Sequence, residues 1–528
     1  MRKGSLKLLF LWVILIATDA SIVFGDADGR RPNIVFIFSD DHAPHAIGAY
    51  DGWLKSINPT PNIDRLASRG MLFEKSFCTN SLCGPSRAVI LTGKHSHING
   101  FTNNSTRFNG DQQTFPKLLR AEGYQTAIFG KWHLQSDPQG FDVWKILPGQ
   151  GLYYNPDFLT PEGKTRVEGY CTDIVTDMTL EWLTKERDKD KPFMVMCQHK
   201  APHRCWMPPP RYLNLYDDID IPEPATLFDQ WEENASPARK QEMEIDRHLD
   251  PHYDLFLNLT PDFSGEAIQK RQDKSALENI KRFSPEQLKV WRKAYGPKDE
   301  AFHAQDLKGK DLIRWKYQRY AKNYLRCIKG VDDCVGRVVA TLEKNGLAEN
   351  TVVIYSSDQG FFVGDHGWYD KRWMYEESLQ MPLIVSWPGQ IETGSNCQAM
   401  VQNLDYAETF LELAGASVPD DMQGASLVPL LKGETLKAWR DSIYYHYYEH
   451  PSFHMVARHY GIRTERYKLM HFYEVGEWEF YDLLEDPDEL TNQYGNTAYA
   501  AIIGQLKLQL ADLRARYKDE TGVSVVGK

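Results

Sequence analysis

Asn33-Ile34-Val35-Phe36-Ile37-Phe38-Ser39-Asp40-Asp41 is an apolar stretch that ends on two carboxylates. An apolar run with no polar alternation suits a strand covered on both faces, as in the centre of a parallel sheet. Thr60 and Pro61 then mark a helix start, Asn62 to Ser68 carry helical spacing, and Gly70 closes the helix. Phe115 to Ala121 with Gly123 repeats that design, and Tyr124 to Phe129 follows as a strand. Phe193 to Cys197, Thr351 to Ser357 and Pro382 to Trp387 are further buried-strand segments. Strands alternating with helices predict a doubly wound, mostly parallel α/β sheet.

Outward from that sheet the character of the chain changes twice. Residues 216–315 are charged, Pro-bearing and helix-prone without clear strands, which predicts a helical and irregular insertion within a main domain spanning 26–438. A long helix is expected from Ile313 to Lys344, ending before Gly346 and leading into the strand at Thr351. Residues 439–528 are rich in Tyr and His. Strand-like stretches at Gly461 to Phe472 and Trp478 to Asp482, then a helix from Ala498 to Tyr517, predict a smaller antiparallel-sheet subdomain with a terminal helix.

The 528 residues, 42% hydrophobic and 25% charged, are ordinary for a globular enzyme with a large core. A net charge of −11 argues against a nucleic-acid partner, which would require a basic surface. An anionic substrate would have to be drawn by local cations. Arg2, Lys3 and Lys7 precede the apolar run Leu8 to Ala17, and small residues follow near Ala20 and Gly25. This order predicts a signal peptide over 1–25 and an exported protein, periplasmic or secreted, or lysosomal in a eukaryote. No later stretch is long and apolar enough to predict stable membrane insertion. Eight cysteines are too few for a disulfide framework, and none forms a C-x-x-C zinc pattern.

The chemistry gathers in short motifs. Cys83-Gly84-Pro85-Ser86-Arg87 puts a sulfur at a loop-to-helix junction with a cation one turn along, where unpaired N–H groups favour an anion. Ser39-Asp40-Asp41 and Ser357-Asp358-Gln359-Gly360 each end a strand, where open α/β sheets place ligands. Together they offer an all-oxygen set suited to calcium or magnesium, although either pair alone reads more readily as a helix cap or turn. Gly130-Lys131-Trp132-His133 follows one strand and His199-Lys200-Ala201-Pro202-His203 another. By themselves these would be a surface lysine and structural histidines. Asp365, His366, Asp370, Lys371 and Arg372 form a charged segment after the second metal pair, equally readable as a solvated loop. Tyr444 to Arg463, with His446, His450, His454 and His459, reads either as a cover stacking on a sugar or as a strand pair with incidental histidines.

C-x-P-S-R followed by A-x-x-x-T-G, here Cys83 to Gly93, resembles the signature of the type I, formylglycine-dependent sulfatases of the alkaline phosphatase-like superfamily. The resemblance implies that Cys83 is oxidised to formylglycine (3-oxoalanine) by a maturation enzyme. It implies that Asp40, Asp41, Asp358, residue 359 and the modified Cys83 hold one divalent ion, calcium by expectation. Most of the family has asparagine where this chain has Gln359, which keeps the carbonyl donor but alters its reach. Arg87 would orient the formylglycine, Lys131 bind sulfate, His133 partner the formylglycine hydroxyl, and His203 and Lys371 serve the sulfate and leaving oxygen. Residues 358–383 and 460–469 resemble carbohydrate sulfatases, including N-acetylglucosamine 6-sulfatases, which implies a sulfated saccharide as substrate, with Asp365, His366, Arg372, His454 and His459 as its contacts. A phosphatase or phosphodiesterase of the same superfamily would carry Ser or Thr and two metals. A phosphoethanolamine-type transferase would need several membrane helices, and a non-catalytic carbohydrate binder need not retain these side chains.

Overall fold

The computed structural model describes residues 30–57, 59–261 and 271–521, so the signal peptide expected over 1–25 lies outside the described residues. Its centre is a ten-stranded sheet. Strand Asn33–Ser39 lies between parallel neighbours Thr351–Ser357 and Phe193–Gln198, and Gln125–Lys131 and Val143–Leu147 extend the parallel run. Leu383–Ser386 runs antiparallel to Thr351–Ser357, so the sheet is mostly but not wholly parallel. Met71–Phe73 and Ser395–Cys397 complete that edge, and Asp157–Thr160 with Gly163–Arg166 form an antiparallel end at the other.

The first strand shows why its sequence does not alternate. Val35 and Ile37 point into one apolar layer with Phe129, Val195 and Tyr355, while Ile34, Phe36 and Phe38 point into the opposite layer with Ile90, Leu91 and Ile354. All five strand residues are buried, and each such side chain contributes roughly 1.5–3 kcal/mol. The first layer is roofed by helix Gly309–Lys344 through Tyr320, Tyr324, Leu325 and Ile328. This helix starts earlier than Ile313 because Lys308, extended and offering no capping oxygen, gives no start signal in the sequence. Trp291 and Tyr295, from helix Pro285–His303 within the segment 216–315, share this apolar layer.

Strands Ser442–Tyr447, His459–Thr464, Tyr467–Phe472 and Glu477–Asp482 form a separate antiparallel sheet. The stretch read as one strand-like run from Gly461 to Phe472 is therefore two strands joined by a turn. Helix Ala500–Arg516 lays Ile503, Leu506, Leu510 and Leu513 on this sheet, and the same cluster takes in Val89 of the helix that begins at Cys83. The fold is thus a large, mostly parallel α/β sheet with a smaller C-terminal α+β subdomain. No helix among the described residues is long and apolar enough to cross a membrane.

Helix Pro61–Ser68 is capped from afar. The Thr60 side chain makes no cap hydrogen bond; instead Asp332 accepts from the N–H groups of Asn62 and Ile63 at 2.7 and 3.0 Å. Asp332→Ala leaves these donors unmet in a buried setting, so we expect a loss of about 3 kcal/mol. A denaturant titration checks this: an unchanged midpoint would contradict the capping role.

Candidate active site

Strand register brings the motifs to one place. Ser39 pairs with Ser357, Phe38 with Gln198, and Gly130 with Gln198, so Asp40, Asp358 and Lys131 leave the sheet at the same edge. Gly130 is required there, because it has φ 101° and a Cβ would lie 1.9 Å from the Gln198 carbonyl oxygen.

Helix Cys83–Thr92, wholly buried, enters this edge with Cys83 in its first turn. Arg87, one turn on, donates through Nε to Asp358 Oδ2 at 3.0 Å and through Nη1 to the Lys131 carbonyl and Gln198 Oε1 at 2.9 and 2.7 Å. Its guanidinium also lies over the Phe38 ring, 4.9 Å from the centroid. Lys371 Nζ donates to Asp41 Oδ2 at 2.7 Å, and Lys131 Nζ bonds Asp40. Gln359 Nε2 bonds Asp41 Oδ1 and approaches Cys83 Sγ at 3.9 Å. Ligand atoms of Asp40, Asp41 and Asp358 lie within 4.8 Å of one another, as do those of Asp40, Cys83 and His203.

Three carboxylates thus face three cations, all buried. Burial alone would raise the Asp40 carboxyl, but Lys131, Arg87 and Lys371 hold it well below the usual range. Burial pushes Asp41 up to about 6 despite Lys371, and pushes Asp358 up to about 8, with Asp40 adding to the rise. Such crowded carboxylates call for a further cation. Asp40 Oδ1 and Gln359 Oε1 are also buried without a hydrogen-bond partner. An all-oxygen donor set with two orphaned oxygens fits calcium or magnesium.

The imidazoles are neutral. Burial first and Lys131 second hold both His133 and His203 well below the ordinary histidine value. His203 Nδ1 lies 2.5 Å from the Arg204 carbonyl oxygen, so Nδ1 carries the hydrogen and Nε2 faces Asp41, at 3.8 Å. His133 Nδ1 is buried and unpartnered. Lys371 stays charged, because Asp370 and Asp41 outweigh its burial. Burial, then Asp40, pushes the Cys83 thiol up, so an unmodified cysteine here is protonated.

Of the expected sugar contacts, the structure brings two to the rim. Arg372 donates through Nη1 to Glu449 at 2.6 Å, and His454 Nε2 lies 3.2 Å from Asp370 Oδ2, beside Lys371. The other three are engaged by neighbouring groups. Asp365 accepts from the Val363 N–H and faces His45 at 3.5 Å. His366 is buried between Asp229, at 3.1 Å, and Glu377, at 3.8 Å. His459 is fully buried among Trp373, Tyr445 and Phe472, leaving no ring face for a sugar. His446 likewise packs inward, at 2.7 Å from Asp519.

Several residues at the site carried no motif. Asn104 Oδ1 accepts from the Gly84 N–H at 3.1 Å, Gln150 Oε1 accepts from Lys131, and Arg204 is clamped on Asp254 by two 2.7 Å bonds. Only Gln198 left a trace in the sequence, as a polar residue ending an apolar strand run.

The sulfatase family description matches residues 32–416, and that of the N-sulphoglucosamine sulphohydrolase C-terminal region matches residues 364–516. An N-acetylglucosamine-6-O-sulfatase of Bacteroides thetaiotaomicron is 49% identical over 497 residues, covering 93% of this chain and 87% of the relative. A human N-acetylglucosamine-6-sulfatase is 29% identical over 465 residues, covering 82% of this chain and 71% of the relative. A solved complex of a protein with its substrate D-glucosamine-2-N,6-O-disulfate superposes with TM-score 0.88 at 48% identity, covering 93% of this chain and 99% of that one. The phosphonate monoester hydrolase of Agrobacterium radiobacter shares the fold, with TM-score 0.66 at 21% identity, covering 92% of this chain and 96% of that one.

The buried His366 offers a test of the packing that holds this loop. Burial would lower its pKa, but Asp229 and Glu377 raise it to about 9. A raised folded-state pKa contributes stability that is full below the unfolded value near 6.5 and is lost as pH rises through about 9. The thermal midpoint should therefore fall between pH 7 and 10, and fall less in His366→Gln. Parallel curves for the two proteins would refute the charged pairing.

Proposed function

The chain belongs to the sulfatase family, and we propose that it removes the 6-O-sulfate from N-acetylglucosamine or N-sulfated glucosamine units of a glycosaminoglycan-type saccharide. It is a sulfuric ester hydrolase of sulfated carbohydrates. The particular sugar and position rest on the relatives, one of which carries that activity in its name and another of which holds a 6-O-sulfated glucosamine. The observation that carries the reading is the meeting of Cys83, Asp40 and His203 within 4.8 Å, beside Asp41 and Asp358.

Cys83 is proposed to act as formylglycine after a maturation enzyme has oxidised it. Burial of a protonated thiol supports this, since such a thiol is a poor nucleophile. The hydrated aldehyde would supply one hydroxyl, its proton passing to Asp358, for attack at sulfur, and a second whose deprotonation re-forms the aldehyde and breaks the carbon–oxygen bond to sulfate. Asp40, Asp41, Asp358 and Gln359 would hold one calcium ion, which would supply Lewis-acid charge to that hydroxyl and to the sulfuryl oxygens.

The chain's own side chains do the rest. A sulfate ester resists anionic attack, so Lys131 and Lys371 neutralise its oxygens in a site without bulk water. Arg87 and Asp358 fix the nucleophile helix against the metal set. Lys371, charged and next to the pocket, gives the proton to the leaving sugar oxygen. His203, whose Nδ1 hydrogen is committed to the Arg204 carbonyl, offers its Nε2 lone pair to the polar groups of the pocket instead. His133, neutral and with a free ring nitrogen, takes the proton whose loss expels sulfate. Arg372, His454 and Asp370 at the rim meet the sugar hydroxyls. The basic and apolar N-terminus supports export before the enzyme acts.

Sulfate release from N-acetylglucosamine 6-sulfate and glucosamine-2-N,6-O-disulfate should exceed that from galactosamine 4-sulfate or 2-O-sulfated uronides by at least 10³-fold, because a site built to bond sugar hydroxyls rejects the wrong arrangement. Equal turnover across the panel would overturn the substrate assignment. Matured protein should show a peptide about 18 Da lighter than its cysteine form at residue 83, the difference between thiol and aldehyde. Cys83→Ala should then abolish release while leaving the thermal melt intact; full activity with an unmodified cysteine would end the mechanism.

A further inference from the structure

We propose that Gln150 is a positioning residue for sulfate transfer, holding the Lys131 ammonium so that one N–H faces the sulfuryl group. The proposal rests on the reading of Lys131 as a sulfate binder. An ammonium has three hydrogens and no acceptor. Lys131 Nζ gives one to Asp40 and one to Gln150 Oε1, the latter at 2.5 Å. The remaining N–H is the one left for a ligand. Because Lys131 only donates, the amide atom facing it is oxygen, which fixes the orientation of the Gln150 side chain.

Without Gln150 the ammonium would keep a single anchor. Asp40 belongs to the proposed metal set, so an ammonium held by Asp40 alone would swing about that carboxylate and compete with the ion for it. Gln150 supplies the second anchor and carries no charge. A carboxylate in its place would hold the lysine but repel a sulfate.

The backbone presents this amide deliberately. Gln150 sits between Gly149 and Gly151, both with positive φ, at 55° and 68°. The Gly151 N–H closes a turn on the Pro148 carbonyl at 3.0 Å, and a Cβ at Gly151 would lie 2.7 Å from Leu147 Cδ1. Leu147 ends the strand that pairs with Lys131 itself. Two residues beyond the turn, the Tyr153 hydroxyl donates to the His203 carbonyl at 2.7 Å. One loop therefore braces a proposed sulfate binder and a neighbouring imidazole. Nothing in the sequence motifs marks Gln150, because its partner ends the strand Gln125–Lys131, paired beside the one that precedes the loop, and its own neighbours read as a Pro-Gly turn.

The test uses matured enzyme with Gln150→Met and Gln150→Glu, alone and combined with Lys131→Met. Gln150→Met should lower kcat by about 10- to 100-fold, with a smaller change in KM and an unchanged melt, the scale expected when a transition-state donor is misplaced. The loss should persist on an activated aryl sulfate, whose leaving group needs no proton, whereas a Lys371 variant should recover on it. Gln150→Glu should keep the melt and raise KM. In the Lys131→Met background the Gln150→Met effect should vanish. Wild-type kcat in Gln150→Met beside a crippled Lys131→Met would overturn the proposal and leave the sulfatase reading intact. A full Gln150→Met loss in the Lys131→Met background would also overturn it. Full activity in both Gln150→Met and Lys131→Met would instead refute the role given to Lys131.

Discussion

The structure depends on one buried ion pair, that between Arg87 and Asp358. The guanidinium reaches Asp358 Oδ2 through Nε at 3.0 Å and Nη2 at 2.9 Å, and it spends Nη1 on the Lys131 carbonyl and Gln198. Four segments far apart in the chain thereby become one wall. Removing Asp358 would leave the Arg87 guanidinium buried without its main partner, which costs about 3–5 kcal/mol. Arginine is suited to the task because its fork holds several acceptors in one plane and it never loses its charge.

Around that pair the charge is balanced and crowded. Asp40, Asp41 and Asp358 face Arg87, Lys131 and Lys371 in a space closed to water, and two oxygens there have no partner. A fold would not gain stability from such an arrangement, since apolar side chains of equal volume would cost less to bury. On the proposed reading the set is preorganised for a divalent cation and a sulfuryl anion, whose charges develop where the protein's dipoles already point. The C-terminal sheet and its helix contribute from behind: Val89 of the nucleophile helix packs in the cluster they form. The small subdomain therefore fixes the catalytic helix as well as part of the rim.

Much of this was legible in the sequence, for identifiable reasons. The strand cores were readable because burial on both faces leaves an unbroken apolar run, and Asp40 and Asp358 because they end such runs. The direction of Leu383–Ser386 was not, because apolar composition is the same in either orientation. His366 and His459 look available in the sequence because they stand near a motif, whereas partners as distant as Asp229 and Phe472 enclose them. Asp332 capping the helix at Pro61, Arg204 on Asp254, and Gln150 on Lys131 depend on pairings between strands, loops and helices that no local pattern records. At Gln359, unusual for the family, the amide nitrogen faces Asp41 and Cys83 while the carbonyl oxygen is buried without a hydrogen-bond partner.

The central claim is that this sheet edge is a built cation site joined to residue 83. Calorimetric titration of the metal-free matured protein with calcium tests it most directly. The account predicts one ion per chain, with binding lost in Asp40→Ala and in Asp358→Ala while Asp365→Ala binds as the wild type does. Absence of binding, or binding that survives both of the first two substitutions, would contradict it.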